Sequence, residues 1–329
     1  MKKTTVFLLI LALIMSAALP FVLPSGALLQ SERERMQEEI WEREEAQESG
    51  LLTFLLPRAQ AEEPAFTPLP IDFSEGPKLN PNGFTDSGYL DDSIELRLET
   101  LEQDGVEYRI ARINIAHPSQ LRTATAGKPG SSKVALISSM AKKYNAVLAI
   151  NANYYSNDPV KTSFEYRMGE KIRNKFNSKK DLLIIDENGD FNLFLKSAEE
   201  DVQAFLDEGH EIINAFTFGP ALVKDGEMQT IDRDYGYNPH GREPRMAIGQ
   251  MSKLSYVIVL AEGRKKNSQG VTQQELAQFM LDLGCEQAFN LDGGNSATMV
   301  FNGKYYQRKT KANERAQSDM IYFASLMGD

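Results

Sequence analysis

Leu254-Ser255-Tyr256-Val257-Ile258-Val259-Leu260 is a nearly continuous apolar run, and the residues after it decide the fold. A run this short and rich in β-branched residues reads as a strand buried on both faces. Thr272, three residues ahead of Glu275, forms a capping box, and Leu276, Phe279, Met280 and Leu283 then fall on one face, so the spacing predicts a helix over Thr272 to Leu283. Ala288 to Leu291 is a second short buried strand. Met299-Val300-Phe301 and Lys304-Tyr305-Tyr306 flank Asn302-Gly303, a strong hairpin sequence because both turn residues tolerate positive φ. Strands joined once by a helix and once by a two-residue turn indicate an α+β fold: a mixed, largely antiparallel β-sheet packed with helices.

The same grammar extends upstream. Ile94 to Leu98 and Tyr108 to Ile115 alternate as half-buried strands do. Ser132 to Tyr144 reads as a helix with Val134, Ile137 and Met140 on one side, feeding an apolar strand, Ala146 to Ile150, that leaves Asn151 at its end. Leu182 to Ile185 and Phe191 to Leu195 flank the turn sequence Asp186-Glu187-Asn188-Gly189-Asp190, Ser197 to Asp207 looks helical, and Ser318 to Leu326 can close the sheet.

Of the 329 residues, 42% are hydrophobic and 25% charged, enough for one large core. The net charge of −10 argues against a general nucleic-acid partner, which needs a basic face. Cys285 is the single cysteine, so no internal disulfide and no Cys-rich zinc site is expected, and His117, His210 and His240 are scattered. Lys2 and Lys3 precede an uncharged apolar run, Thr4 to Leu23, long enough to span a bilayer. A retained membrane anchor is the first reading of it. A cleaved signal is the second, since Ser25-Gly26-Ala27 and Ala59-Gln60-Ala61 resemble cleavage sites. Either places the rest outside the cytoplasm. Ser31 to Ser49 carries eight glutamates and three arginines, and a Pro-rich stretch from Pro57 to Pro81 follows. The expected organisation is a signal or anchor at 1–27, a charged and Pro-rich spacer at 28–84, and a single domain at 85–329.

Three strings stand out chemically. Asp292-Gly293-Gly294-Asn295-Ser296-Ala297-Thr298 leaves a buried strand and turns sharply. It is either a plain Asp-Gly turn or a loop whose exposed amides approach a ligand, and the hydroxyls of Ser296 and Thr298 favour the second. Gly241-Arg242-Glu243-Pro244-Arg245-Met246-Ala247-Ile248-Gly249 puts Arg245 at the mouth of an apolar strand, where a guanidinium can grip a phosphate with two parallel bonds, whereas Arg242 reads as solvated. Glu262-Gly263-Arg264 opens a polar loop, and an acid there is ordinarily surface.

Taken in order with Asn151-Ala152-Asn153-Tyr154-Tyr155, Gly219-Pro220 and Gly270-Val271-Thr272, these strings resemble the phosphodiester glycosidase family from about Ala146 to the C-terminus. That family's pattern has glycines where this chain has Ala152, Asn153 and Asn295, and an aspartate where it has Glu262. The resemblance implies hydrolysis of a sugar linked through phosphate to another sugar or to an envelope glycopolymer such as an exopolysaccharide, and the N-terminal run puts that activity outside the cytoplasm. Glycosidases usually employ two carboxylates. Asp292 and Glu262 are the expected pair, Arg245 the phosphate contact, and Asn151, Gly293, Gly294, Ser296, Thr298 and Arg264 further substrate contacts. Asp292, Glu262, Arg245 and Asn151 are expected to line one cavity. No cofactor is evident, although loop carboxylates leave a structural calcium open. The rivals are a silent polysaccharide-binding module, suggested by the substituted glycines, and a metal-dependent phosphodiesterase, against which the scattered histidines speak.

Overall fold

The computed structural model describes residues 66–153, 164–196, 199–236, 238–307 and 314–328. The apolar run Thr4 to Leu23, the acidic stretch Ser31 to Ser49, and Tyr154-Tyr155 lie outside the described residues. Among the described residues no helix is long and apolar enough to cross a membrane. The unit that carries the site runs from Phe66 to Asp329. The end of the expected spacer therefore belongs to it: Leu69 N donates to Ser119 Oγ at 3.0 Å, and Arg122 donates to the carbonyls of Pro70 and Asp72 at 2.9 and 3.0 Å.

Three sheets make up the unit, and all their described pairings are antiparallel, so the expected mixture of parallel and antiparallel strands is corrected. At the centre of a nine-stranded sheet, Ile94–Gln103, Val106–Ile115, Ser255–Ala261, Arg245–Ser252 and Gln287–Leu291 are successive neighbours. A five-stranded sheet orders Lys304–Tyr305, Met299–Phe301, Leu148–Asn151, Asp319–Phe323 and Leu121–Thr125. A second five-stranded sheet holds the hairpin Leu182–Asp186 and Phe191–Phe194 beside Ile212–Phe216, Phe164–Arg167 and Glu170–Asn174.

The period-two pleat explains how these layers share a core. Tyr256, Ile258 and Leu260 enter the central cluster with Leu148, Ile150, Leu183 and Phe216, drawn from all three sheets, while Val257, Val259 and Ala261 face the cluster capped by helix α3, Gln273–Asp282. Thr272 caps α3 as expected: its Oγ1 accepts from Glu275 N at 3.1 Å and Glu275 Oε2 accepts from Thr272 N at 2.9 Å. The neighbouring strand Val106–Ile115 is likewise buried on both faces, Tyr108 and Ile110 on one and Ala111 and Ile113 on the other, where the sequence suggested half-burial.

Two boundaries also change. Helix α1 is Ile137–Lys143 only, because Ala135 exchanges both main-chain bonds with Gln317 and holds Ser132 to Leu136 outside the helix, leaving Val134 exposed. Leu254 sits at φ 57° in the turn before Ser255–Ala261 and not in the strand. Helix α2, Glu199–Asp207, buries Val202 and Phe205.

Candidate active site

Asp292 to Thr298 is the chain's crossing from the nine-stranded sheet, left at Leu291, to the five-stranded sheet, entered at Met299. The crossing is held at both ends by the strand that pairs with Met299–Phe301. Asn151, at the end of Leu148–Asn151, donates through Nδ2 to Asp292 O at 2.6 Å and accepts on Oδ1 from Thr298 N at 2.9 Å, clamping both ends of the loop. Thr298 Oγ1 donates to Ser296 O at 2.9 Å, and Asp292 N donates to Ala152 O at 3.3 Å. Gly293 is required by close approach, since a Cβ there would stand 2.6 Å from Pro244 O. Gly294 is required by its φ of 59°, which aims its N–H at the same Pro244 carbonyl, 2.7 Å away.

A cavity of about 210 Å³ opens over this loop, walled by Asp292, Gly293, Gly294 and Asn295 from the crossing, Glu243 and Arg245 from the entry to Arg245–Ser252, and Arg264, Arg315, Asn238 and Phe218 from surrounding loops. Two carboxylates and three guanidiniums thus share one small space, a composition suited to an anion carrying a polar group. The two acids are tuned in opposite directions. Burial pushes the Asp292 carboxyl above the usual aspartate value, against the lowering influence of the Ser296 hydroxyl, Arg315 and the Gly293 amide. Glu243 is held below the usual glutamate value, first by the hydrogen bond from Arg264. Environments that separate two neighbouring carboxyls divide proton-handling from charge-stabilising roles.

The arginines differ as well. Arg245 is buried, and burial lowers its pKa to about 10. Its Nη2 donates to Asn238 O and Gly241 O at 2.7 and 3.0 Å and its Nε to Val271 O at 3.3 Å. That guanidinium, expected to grip phosphate, pins the surrounding loops to the strand. Arg264 is half exposed, its Nε on Glu243 Oε2 at 2.6 Å and its Nη1 on Asn295 Oδ1 at 3.1 Å. Arg315, also exposed, reaches Ser296 Oγ at 3.4 Å.

The expected cavity is therefore assembled only in part. Asp292, Arg245, Gly293, Gly294 and Arg264 line it. Asn151, Ser296 and Thr298 are fully buried beneath it and shape the loop. Glu262 is outside it: its carboxylate pairs with Lys265 and stands 3.8 Å from Arg109, while its N–H continues the ladder onto Glu107 O. The pleat gives the reason, since Glu262 shares the face of Leu260, whereas Arg245 pairs with Ala261 on the other. The second carboxylate in the cavity is Glu243. It stood in a quoted string, but only the isolated pairing of Glu243 with Val271, which turns the loop inward, distinguishes it from a surface acid. Arg315, Asn238 and Phe218 gave no sequence pattern at all. Among the described residues, one histidine-containing group has metal-ligating geometry, Asp186, Glu187 and His210; none of the three lines the cavity.

Known proteins resemble this chain in sequence and in fold. The N-acetylglucosamine-1-phosphodiester α-N-acetylglucosaminidase of Homo sapiens is 42% identical over 59 residues, 18% of this chain and 11% of that protein. The SPbeta prophage-derived uncharacterized protein YomE of Bacillus subtilis (strain 168) is 31% identical over 193 residues, 56% of this chain but only 28% of the relative, so the chain spans a minor part of either protein's length. In fold it is similar to the zebrafish N-acetylglucosamine-1-phosphodiester α-N-acetylglucosaminidase catalytic domain, solved auto-inhibited by its pro-peptide, with a TM-score of 0.56 at 18% identity over 76% of this chain and 87% of that one. A hypothetical protein from Synechocystis shares the fold at a TM-score of 0.50 and 15% identity, over 70% of this chain and 62% of the other. The phosphodiester glycosidase family model matches residues 144–324, from the end of α1 to the final strand and including the whole crossing loop, and the chain belongs to that family.

Proposed function

We propose that this chain hydrolyses a glycosyl phosphodiester, adding water at the sugar's anomeric carbon and releasing a free sugar and a phosphomonoester. The observation that carries the reading is Asp292, a buried carboxyl with raised proton affinity in a cavity whose walls carry Arg264 and Arg315. In its ionised form Asp292 takes the proton of the attacking water as oxygen bonds to the anomeric carbon. The bond from that carbon to the phosphate oxygen breaks, and its electron pair leaves with the phosphate. A phosphate is a weak base, so its departure requires little protonation, and Arg264 and Arg315 offset its charge. Glu243, held ionised by Arg264, faces the positive charge that builds on the sugar. Arg245 keeps the loops in register.

The substrate class is a sugar joined through phosphate to a second sugar or to an envelope glycopolymer. An extracytoplasmic setting is supported by Lys2-Lys3 ahead of the apolar run Thr4 to Leu23. One observation favours the rival, a silent binding module: Asn295 takes Arg264 Nη1 as its own donor, leaving that guanidinium fewer bonds for phosphate. The experiment is to incubate the protein with a sugar-phosphate-sugar diester in oxygen-labelled water and weigh the products. Label in the free sugar supports glycosidic cleavage. Label in the phosphate moves the cut to the phosphorus–oxygen bond, and unchanged diester across a panel of sugars favours the binding module.

A further inference from the structure

The hairpin turn after Leu182–Asp186 and the loop ahead of Ile212–Phe216 bring together three side chains that the cavity does not use. We propose that Asp186, Glu187 and His210 form a binding site for a divalent transition-metal ion of the zinc class, joining these two connections of the second five-stranded sheet. His210 Nδ1 stands 3.7 Å from Glu187 Oε1 and 4.0 Å from Asp186 Oδ2, and the three donor atoms all lie within 4.8 Å of one another. The first two separations are too long for hydrogen bonds. Tetrahedral donors about 2.0–2.2 Å from a zinc lie roughly 3.3–3.6 Å apart, so the three side chains need to draw together by at most about 1.2 Å to share one ion.

The donors are oriented from outside the group. Asp186 Oδ1 accepts the main-chain amides of Asn188 and Asp190, each at 2.9 Å, leaving Oδ2, with a bond from Asn192 at 3.1 Å, on the side of the imidazole. Glu187 Oε2 accepts Glu211 N at 2.8 Å, leaving Oε1, with a bond from Asn188 at 3.1 Å, on the same side. The His210 ring lies flat on Phe205 of α2, centroids 4.5 Å apart and planes 9° from parallel, which holds the plane of the imidazole. Each carboxylate thus commits one oxygen to main-chain amides and turns the other toward the same nitrogen, the outer-shell pattern that orients metal ligands. Two carboxylates and a neutral imidazole balance a divalent charge, and the imidazole selects zinc-like ions over calcium or magnesium, which prefer all-oxygen shells. His210 and Glu187 are partly exposed, giving an ion a way in and water a place as fourth ligand.

The test is calorimetric titration of the untagged, chelator-treated full chain with Zn²⁺ and separately with Ca²⁺. The expected result is one Zn²⁺ per chain with a rise in Tm. His210→Ala and Glu187→Gln, at partly exposed positions the fold tolerates, should each weaken binding by about tenfold or more. Asp186 is left unaltered because it also builds the turn. No Zn²⁺ uptake by the wild type, undiminished affinity in His210→Ala, or Ca²⁺ bound as tightly as Zn²⁺ would each overturn the proposal, and none of these outcomes bears on hydrolysis at Asp292.

Discussion

Asp292→Asn tests the proposed chemistry most directly, because it keeps the side chain's shape and removes the proton affinity that burial has raised. A positioned general base contributes about 10²- to 10⁴-fold, so kcat should fall on the order of 10³-fold, about 4 kcal/mol of barrier. Stability should change far less. The variant loses some acceptor capacity toward Ser296 and Gly293, worth about 1 kcal/mol, and gains relief from burying a charge. With about 2–4 °C of Tm per kcal/mol for a domain of this size, the two proteins should melt within a few degrees of each other near neutral pH. The pH dependence supplies a signature independent of activity. Asp292 binds its proton more tightly folded than unfolded, so its contribution to wild-type stability is fully present below about 3.8 and is lost as pH rises through the raised folded value. The amide that replaces the carboxyl in the variant does not titrate. The variant's Tm relative to wild type should therefore climb with pH from about 3.8 up to that folded value and then level off, as followed by calorimetry in parallel with turnover of a glycosyl phosphodiester. Wild-type turnover in the folded variant, or a variant Tm that falls relative to wild type as pH rises over that range, would refute the assignment.

Arg264→Ala should raise KM for the diester by roughly tenfold or more with little change in Tm, since the side chain is half exposed and its loss is felt at the cavity mouth, by a bound anion and by Glu243 and Asn295; unaltered KM would remove it from phosphate binding. Arg245→Lys should cost about 2–3 kcal/mol in denaturant unfolding, because one ammonium cannot replace a planar fork that reaches Asn238, Gly241 and Val271 carbonyls. Glu262→Gln should destabilise the fold by roughly 3 kcal/mol, since it leaves Lys265 and Arg109 without that charge, yet leave kcat of the folded protein intact. A fall in kcat at unchanged Tm would instead restore Glu262 as the catalytic partner.

What could be read in the sequence was whatever local periodicity controls. The strand Leu254 to Leu260, the cap at Thr272 and the hairpin at Asn302-Gly303 each depend on neighbours in the chain, and each is observed with shifts at its ends. Ser132 to Leu136 misled because Ala135 finds its partner in Gln317, a pairing no window of sequence contains. The site divides the same way. Asp292, Gly293 and Gly294 announce themselves through turn chemistry, but whether an acid at a strand end faces the cavity depends on the pleat of a sheet assembled from distant strands. Glu243 and Glu262 are therefore indistinguishable in sequence and opposite in placement.

The substitution of Asn295 in the glycine turn is explained by where left-handed backbone is needed. Gly294 has φ 59°, whereas Asn295 is absent from the positive-φ residues, so a side chain at 295 carries no backbone penalty. That side chain reaches Arg264 Nη1 while Glu243 takes Nε, so the arginine is held from two sides, by the crossing loop and by the entry to Arg245–Ser252. A long half-exposed side chain fixed in this way has already lost rotamer freedom that anion binding would otherwise remove, at the expense of one donor now committed to Asn295. Asn295→Gly should separate these effects: if fixing the arginine matters more, KM for the diester rises, and if the committed donor matters more, KM falls. Since both readings act through the Asn295–Arg264 bond, the same pair of measurements in an Arg264→Ala background should show a smaller effect of position 295 than in the wild type.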